Sequence, residues 1–337
     1  MTTIDVAAVR ADRGAACRNT AQSGSIQPVS IQPGSAQPAS THTGMARSSQ
    51  QPTEPTQPAA PLQQEVVLGG RYRLGGRLGG GSEAYVNEAL DLRTGKLVAV
   101  KIFRATQDGT TDPAKNTPFG REVDIHGRLR HRNIVAVLGS GTMTEEDPRR
   151  SRNYLVMDLM DGNDLRSVLH EGPVSPEQTV AWMSGIAKAL THLHRRGIVH
   201  NDIKPGNILV DFHADPEGPG IAKLTDFGIA IDGRHSAPKS SSGTPHYLSP
   251  EEVCGGTSTS ASDIYSLGLV ALECLTGTKA FPGPPLESMV ARTLGEPRIP
   301  GTVRRRWSMV LHAMTDPDPA GRPSASQAVG MLRRLVW

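Results

Sequence analysis

The sequence is poor in cysteine, aromatic residues, net charge and long apolar runs, and each shortage excludes a class of protein. Its three cysteines, Cys17, Cys254 and Cys274, lie far apart, with no Cys-x-x-Cys pair and no histidine at metal-ligand spacing. A disulfide framework and a Cys/His zinc centre are thereby excluded, and a reducing compartment is expected. Formal net charge is +3, from 36 basic and 33 acidic residues that are interspersed, so nothing points to nucleic acid or an anionic membrane as partner. The longest apolar stretch, Ile264 to Leu275, contains Glu273 and is too short to span a bilayer. Asp5 and Asp12 interrupt the place where a signal peptide would need its apolar core. A soluble, cytoplasmic protein without a membrane span is expected.

The aromatic shortage is uneven. From Met1 to Leu68 there is no Phe, Tyr or Trp, while Gln, Pro, Ser and Thr crowd the segment and Ser-x-Gln-Pro-x repeats from Ser25, Ser30 and Ser35. Such a stretch lacks the apolar side chains that offset the entropy of ordering. It reads as a disordered tail over 1–69 with some polyproline II character. The remainder, 70–337, can bury a large core and is long enough for two lobes, a small one over about 70–158 and a large one over about 159–337.

Within that remainder a set of short motifs stands in one order. The first is the Gly-rich turn Leu78-Gly79-Gly80-Gly81-Ser-Glu-Ala-Tyr-Val86 between two predicted strands. Backbone N–H groups approach phosphate oxygens closely only where no Cβ intervenes. Next, Val98-Ala-Val-Lys-Ile-Phe103 is rich in β-formers, and alternation puts Ala99 and Lys101 on one face. A lysine pointing into a cleft needs a counter-charge, and Glu122, in a helical run, is the candidate. In Ile198-Val-His200-Asn-Asp202-Ile-Lys204-Pro-Gly-Asn207, the carboxylate of Asp202 can orient a hydroxyl and accept its proton. Asn207 offers a neutral oxygen to magnesium and Lys204 a cation beside a phosphoryl group. Asp226-Phe-Gly228 adds a hard carboxylate about twenty residues on, and Ser249-Pro-Glu251 follows. Ser175-Pro-Glu-Gln178 is a capping-box start for the helix that leads to the catalytic segment.

From about Arg71 onward this series resembles the eukaryotic-like, bacterial type of Ser/Thr protein kinase. The resemblance implies an α+β, bilobal protein-kinase fold, with a five-stranded antiparallel small lobe and a mainly helical large lobe. It implies transfer of the γ-phosphoryl group of ATP, with Mg2+ (Mn2+ as a substitute), to Ser/Thr hydroxyls of protein substrates. Self-phosphorylation within a transient homodimer is also implied. By resemblance Asp202 is the catalytic base, Lys204 stabilises the phosphoryl group, and Asn207 and Asp226 are the metal ligands. Lys101 contacts the α/β-phosphates and pairs with Glu122, and it follows Val86 at the distance expected for the next-but-one strand. Leu78, Gly79, Gly80, Gly81, Val86, Ala99 and Leu209 line the nucleotide site, with Met157 as gatekeeper and Asp158 to Met160 as hinge. Thr244 bridges Asp202 and Lys204. Glu251 pairs with Arg322, and Asp263 holds the catalytic loop through its backbone.

Several positions depart from the family pattern. Asn201 replaces the arginine that pairs with a phosphorylated activation segment, here Arg234 to Ser242. His126 stands where a small or apolar residue packs, Ala84 takes the third glycine position, and Gly206 removes an acid that reads arginines on substrates. A nucleotide-dependent scaffold without transfer activity, and a small-molecule kinase of similar fold, are the alternative readings.

Overall fold

The computed structural model describes residues 66–81, 84–104, 123, 127, 129–143, 151–226, 230–231 and 245–335. Of the tail expected over 1–69, residues 1–65 lie outside the described residues, as do Glu122, His126, Phe227, Gly228, Arg234 to Ser242 and Thr244. Residues 66–69 are described and include a strand that buries Leu68 by pairing, so the folded part begins earlier than expected.

The small lobe is one antiparallel sheet of β1 (Val67–Leu68), β2 (Tyr72–Gly80), β3 (Ala84–Asp91), β4 (Lys96–Phe103), β5 (Val137–Met143) and β6 (Arg152–Asp158). Their order is β1-β2-β3-β4-β6-β5. Five of these were expected. The sixth, β1, is two residues long and therefore has no alternation to read; it exists because it pairs with Arg73 and Tyr72 and buries Leu68. One face of the sheet buries Val98, Val100, Ile102, Tyr154 and Val156 with Leu68, Tyr72 and Ala89. The opposite face carries Leu155 and Met157 against Val135, Val137 and Leu209.

The large lobe contains α1 (Leu165–Glu171), α2 (Pro176–His194), α3 (Pro250–Val253), α4 (Ser260–Thr276), α5 (Pro285–Leu294), α6 (Arg305–Met314) and α7 (Ala325–Arg333). Two small antiparallel pairings, β7 (Gly162–Asp164) with β9 (Ile208–Asp211) and β10 (Ile221–Leu224), and β8 (Ile198–Val199) with β11 (Ala230–Ile231), frame the catalytic segment. As expected, α2 starts at Ser175, whose hydroxyl accepts the Gln178 N–H at 3.2 Å, with Pro176 in the first turn. Its buried face, including Trp182, Met183, Ile186, Leu190 and Leu193, packs with α4 in the lobe's core. Helix α4 ends at Gly277, whose left-handed φ of 69° favours glycine and lets its N–H reach the Glu273 carbonyl at 2.7 Å. Among the described residues no helix is long and apolar enough to cross a membrane. The two-lobed α+β architecture is the one expected.

Candidate active site

The site is assembled from two lobes, each of which contributes a face prepared by its own packing. On β4, Ala99 lies opposite Met157 and Lys101 opposite Leu155 in the register with β6. Directly opposed residues share a sheet face, so Ala99 and Lys101 stand on the side where Leu155 and Met157 meet Leu209 of the large lobe. Val86 is the register partner of Lys101 and joins the same row. Lys101 thus lies on the strand immediately after that of Val86, not the next but one; the reversal over Leu92 to Gly95 leaves no room for another strand.

The Gly-rich turn is the end of the β2–β3 hairpin, where Gly79 pairs with Val86 and Gly80 with Tyr85. A Cβ on Gly80 would come within 2.9 Å of the Tyr85 Cβ, which explains that glycine by packing. A Cβ on Gly79 or Gly81 would meet nothing within 4 Å. The fold therefore gives no reason for those two glycines, and the open space is what a closely approaching phosphate requires. Leu78 beside them is 53 % exposed. Asp158, at the hinge, donates its backbone N–H to the Ala136 carbonyl at 3.0 Å, and Met160 packs at the margin of the Met157 and Leu209 cluster.

Below this apolar slot lies the loop that carries Asp202, Lys204 and Asn207. Lys204 Nζ reaches both carboxylate oxygens of Asp202, at 3.0 and 2.8 Å. Asn207 Nδ2 donates to the Asp202 carbonyl and to its Oδ2, both at 2.8 Å. The loop is hung from Asp263 at the start of α4, whose carboxylate accepts the backbone N–H groups of His200 (2.8 Å) and Asn201 (2.9 Å). His194 Nε2 is a further partner of Asp263 at 2.8 Å. That third contact was not legible in the sequence, because the two residues are 69 apart and neither carries a local signal of the other.

His200 is fully buried, and burial pushes its pKa below the ordinary histidine value. Its Nδ1 accepts the Asp202 N–H at 3.3 Å, so Nε2 carries the proton and donates to the Thr225 carbonyl at 3.2 Å. A neutral ring therefore ties the loop to the residue that precedes Asp226.

Asp226 comes within 3.0 Å of Lys101, Oδ1 to Nζ. Burial works to raise its pKa; the charge of Lys101 and the hydrogen bond from it outweigh burial and hold the carboxyl below its usual range. Asp226 (φ 55°) and Asn201 (φ 66°) are, among the described residues, the two non-glycine residues with left-handed backbone. Strain of this kind concentrates where a site over-determines the chain.

The donor set suits a hard divalent cation. Since Nδ2 of Asn207 is engaged, its Oδ1 is the atom presented for ligation, and Asp226 supplies a carboxylate. Two protein oxygens leave room for the further oxygen ligands that a hard divalent cation takes. Among the described residues no group of three or more His, Cys, Asp or Glu could hold an ion by itself.

A family model described as the protein kinase domain matches residues 72–331. The chain belongs to the bacterial type of the Ser/Thr protein kinase family. This kinase is 37 % identical over 279 residues to the serine/threonine-protein kinase PknB of Mycobacterium tuberculosis, covering 79 % of this chain and 43 % of that one. The same shares are covered in the PknB of Mycolicibacterium smegmatis, at 34 % identity. With a probable serine/threonine-protein kinase of Streptomyces coelicolor the identity is 39 % over 264 residues, covering 74 % of this chain and 38 % of that one. The chain thus spans less than half the length of these relatives.

Proposed function

We propose that this kinase transfers the γ-phosphoryl group of ATP to Ser or Thr hydroxyls of protein substrates, with Mg2+ or Mn2+ as cofactor. The observation that carries the reading is the convergence of Asp202, Lys204 and Asn207 on one loop with the Asp226–Lys101 pair across the cleft.

The apolar face of Ala99, Met157 and Leu209 would receive the adenine. The open backbone at Gly79 and Gly81 and the ammonium of Lys101 would receive the phosphates. Asn207 Oδ1 and Asp226 would hold the cation, which neutralises charge on the phosphate oxygens when bound. Asp202, kept in one orientation by Lys204 and Asn207, accepts the proton of the substrate hydroxyl as its oxygen bonds to the γ-phosphorus. The bond from phosphorus to the β–γ bridging oxygen breaks and ADP leaves. Lys204 stands within reach of both the base and the group in flight. The same transfer between two copies of the chain is proposed to modify its own Ser and Thr residues. Leu286, Val290 and Leu294, an exposed apolar row along α5, offer a surface for such a transient encounter.

The test is transfer of labelled γ-phosphate by the purified chain, beside Asp202→Asn and Lys101→Met, with phospho-amino-acid analysis. Label on Ser or Thr that vanishes in both variants is the expected result. A folded protein that binds ATP and transfers nothing to itself or to generic acceptors would be a scaffold.

A further inference from the structure

On a face that includes none of the catalytic residues, α2 and α7 border an open cleft of about 780 Å³. Its walls are His131, Lys188, Thr191, His192, Arg195 and Arg196, with Ser326 and Val329 from α7. Lys188, His192 and Arg195 recur at helical spacing, so the final turns of α2 present one continuous basic edge. Among the described residues no carboxylate lines the cleft.

Among the described residues no acidic side chain pairs with the cations of this edge. Arg196 Nη1 donates to the His192 carbonyl at 2.9 Å, a neutral acceptor that leaves its charge in place. Lys188 and Arg195 form no salt bridge among the described residues. The rings of His131 and His192 lie side by side, tilted 38° to each other with centroids 5.2 Å apart. His131 Nδ1 accepts the Asn133 N–H at 3.1 Å, which leaves Nε2 as the donor of that ring. Burial first, and then the charges of Arg196 and Arg195, hold His192 below its ordinary pKa; burial, His192 and Lys188 do the same to His131. Burial is the larger cause in both rings and the neighbouring cations add to it, so the cleft gathers positive charge that an anion would complement.

We propose that this cleft docks a phosphorylated Ser or Thr side chain of a protein segment, with Lys188, His192, Arg195 and Ser326 as its partners. Charge complementarity selects the occupant. A phosphomonoester carries about 1.5–2 negative charges near neutral pH and three acceptor oxygens, which suit a guanidinium fork, an ammonium and a hydroxyl. The cleft is open but small, bounded by two helices and lined by eight residues, an extent that suits a short peptide segment, whereas duplex nucleic acid or a membrane would call for a broader basic face. The identity of the anion rests on the kinase reading, since a Ser/Thr kinase meets its own products; a protein segment already phosphorylated would be held near the site for a second transfer.

The experiment is anisotropy of the full chain, without nucleotide, against a labelled peptide carrying phosphothreonine and against its unphosphorylated twin. The expected result is roughly tenfold tighter binding of the phosphopeptide, a preference abolished in Lys188→Ala/Arg195→Ala. Transfer to a short unphosphorylated acceptor should be unchanged in that variant. Equal binding of the two peptides, a preference that survives in the variant, or tighter binding of duplex DNA or phosphatidylserine vesicles would overturn the inference. A phosphopeptide preference in a chain that transfers no phosphate would support the docking site and remove the kinase reading alone.

Discussion

Arg322 and Glu251 form a two-pronged ion pair, Nη1 to Oε1 at 2.7 Å and Nη2 to Oε2 at 2.8 Å, that closes α3 onto the segment before α7. The arginine side chain has no solvent exposure, and it also donates to the carbonyls of Asp316 and Ala261. Removing one partner leaves a buried charge without its complement. Arg322→Ala should therefore lose about 3–5 kcal/mol of stability, read from urea unfolding. A loss below about 1 kcal/mol, the range of an exposed pair, would contradict it.

The same pair sets a pH dependence. Burial works to raise the Glu251 pKa, but the hydrogen bonds from Arg322 and Ser262 outweigh it and leave the group below its ordinary value. A folded pKa beneath the unfolded one means stability that is present above the unfolded value and is lost as pH falls through the folded one. Wild type should thus lose stability on acidification below the ordinary glutamate range. Glu251→Gln should show a shallower loss over that window, and parallel curves would refute the assignment.

Asp263 should act on rate more than on nucleotide affinity. Its carboxylate accepts from His200 and Asn201, so Asp263→Ala leaves two backbone donors without their partner at a cost of about 1–3 kcal/mol each. Asp202, the proposed base, follows directly in the chain and would lose its fixed position. A fall in kcat with little change in KM for ATP is expected, and the reverse split would assign Asp263 to nucleotide binding instead.

Much of this was legible because the signals were local. The cap at Ser175, the β-rich run around Lys101 and the apolar helix from Ile264 announce themselves through local composition and spacing, and the residues of the candidate site lie within motifs a few residues long. What escaped depends on residues far apart in the chain. Arg292 is 1 % exposed, wrapped by Ser288 and the Leu248 carbonyl, and nothing in its own helix marks it as buried. His194 holds Asp263 across 69 positions. The basic edge of α2 reads in sequence as an ordinary helix end, and only the packing of α7 beside it makes a cleft.

Asp202→Asn and Lys101→Met should separate chemistry from binding. The amide keeps the size of the carboxylate but cannot take the proton, so transfer should drop by about 10²–10⁴ while ATP binding persists. Lys101→Met removes the ammonium that faces Asp226 and should weaken ATP binding itself, measured by calorimetry with Mg2+ present. Equal ATP affinities in wild type and Lys101→Met would place the lysine outside the nucleotide site.

Asn201 bears on how the kinase is controlled. Its backbone is left-handed, a conformation asparagine tolerates better than most side chains. Its Oδ1 is buried without a partner among the described residues, and the residue borders a cavity of about 20 Å³ that Glu252, Ser262 and Asp263 also line. That is room for one water. Where the family pattern has an arginine for a phosphate of the activation segment, an amide here has no charge to offer. Replacing Ser240, Ser241 and Ser242 together by Ala should therefore leave most of the activity in place, measured as initial rate on a fixed acceptor. Loss of most activity would show that a phosphate in that segment is read by some other cation. Asn201→Arg should forfeit about 1–2 kcal/mol for left-handed backbone and, in exchange, make the rate depend on whether those serines are phosphorylated.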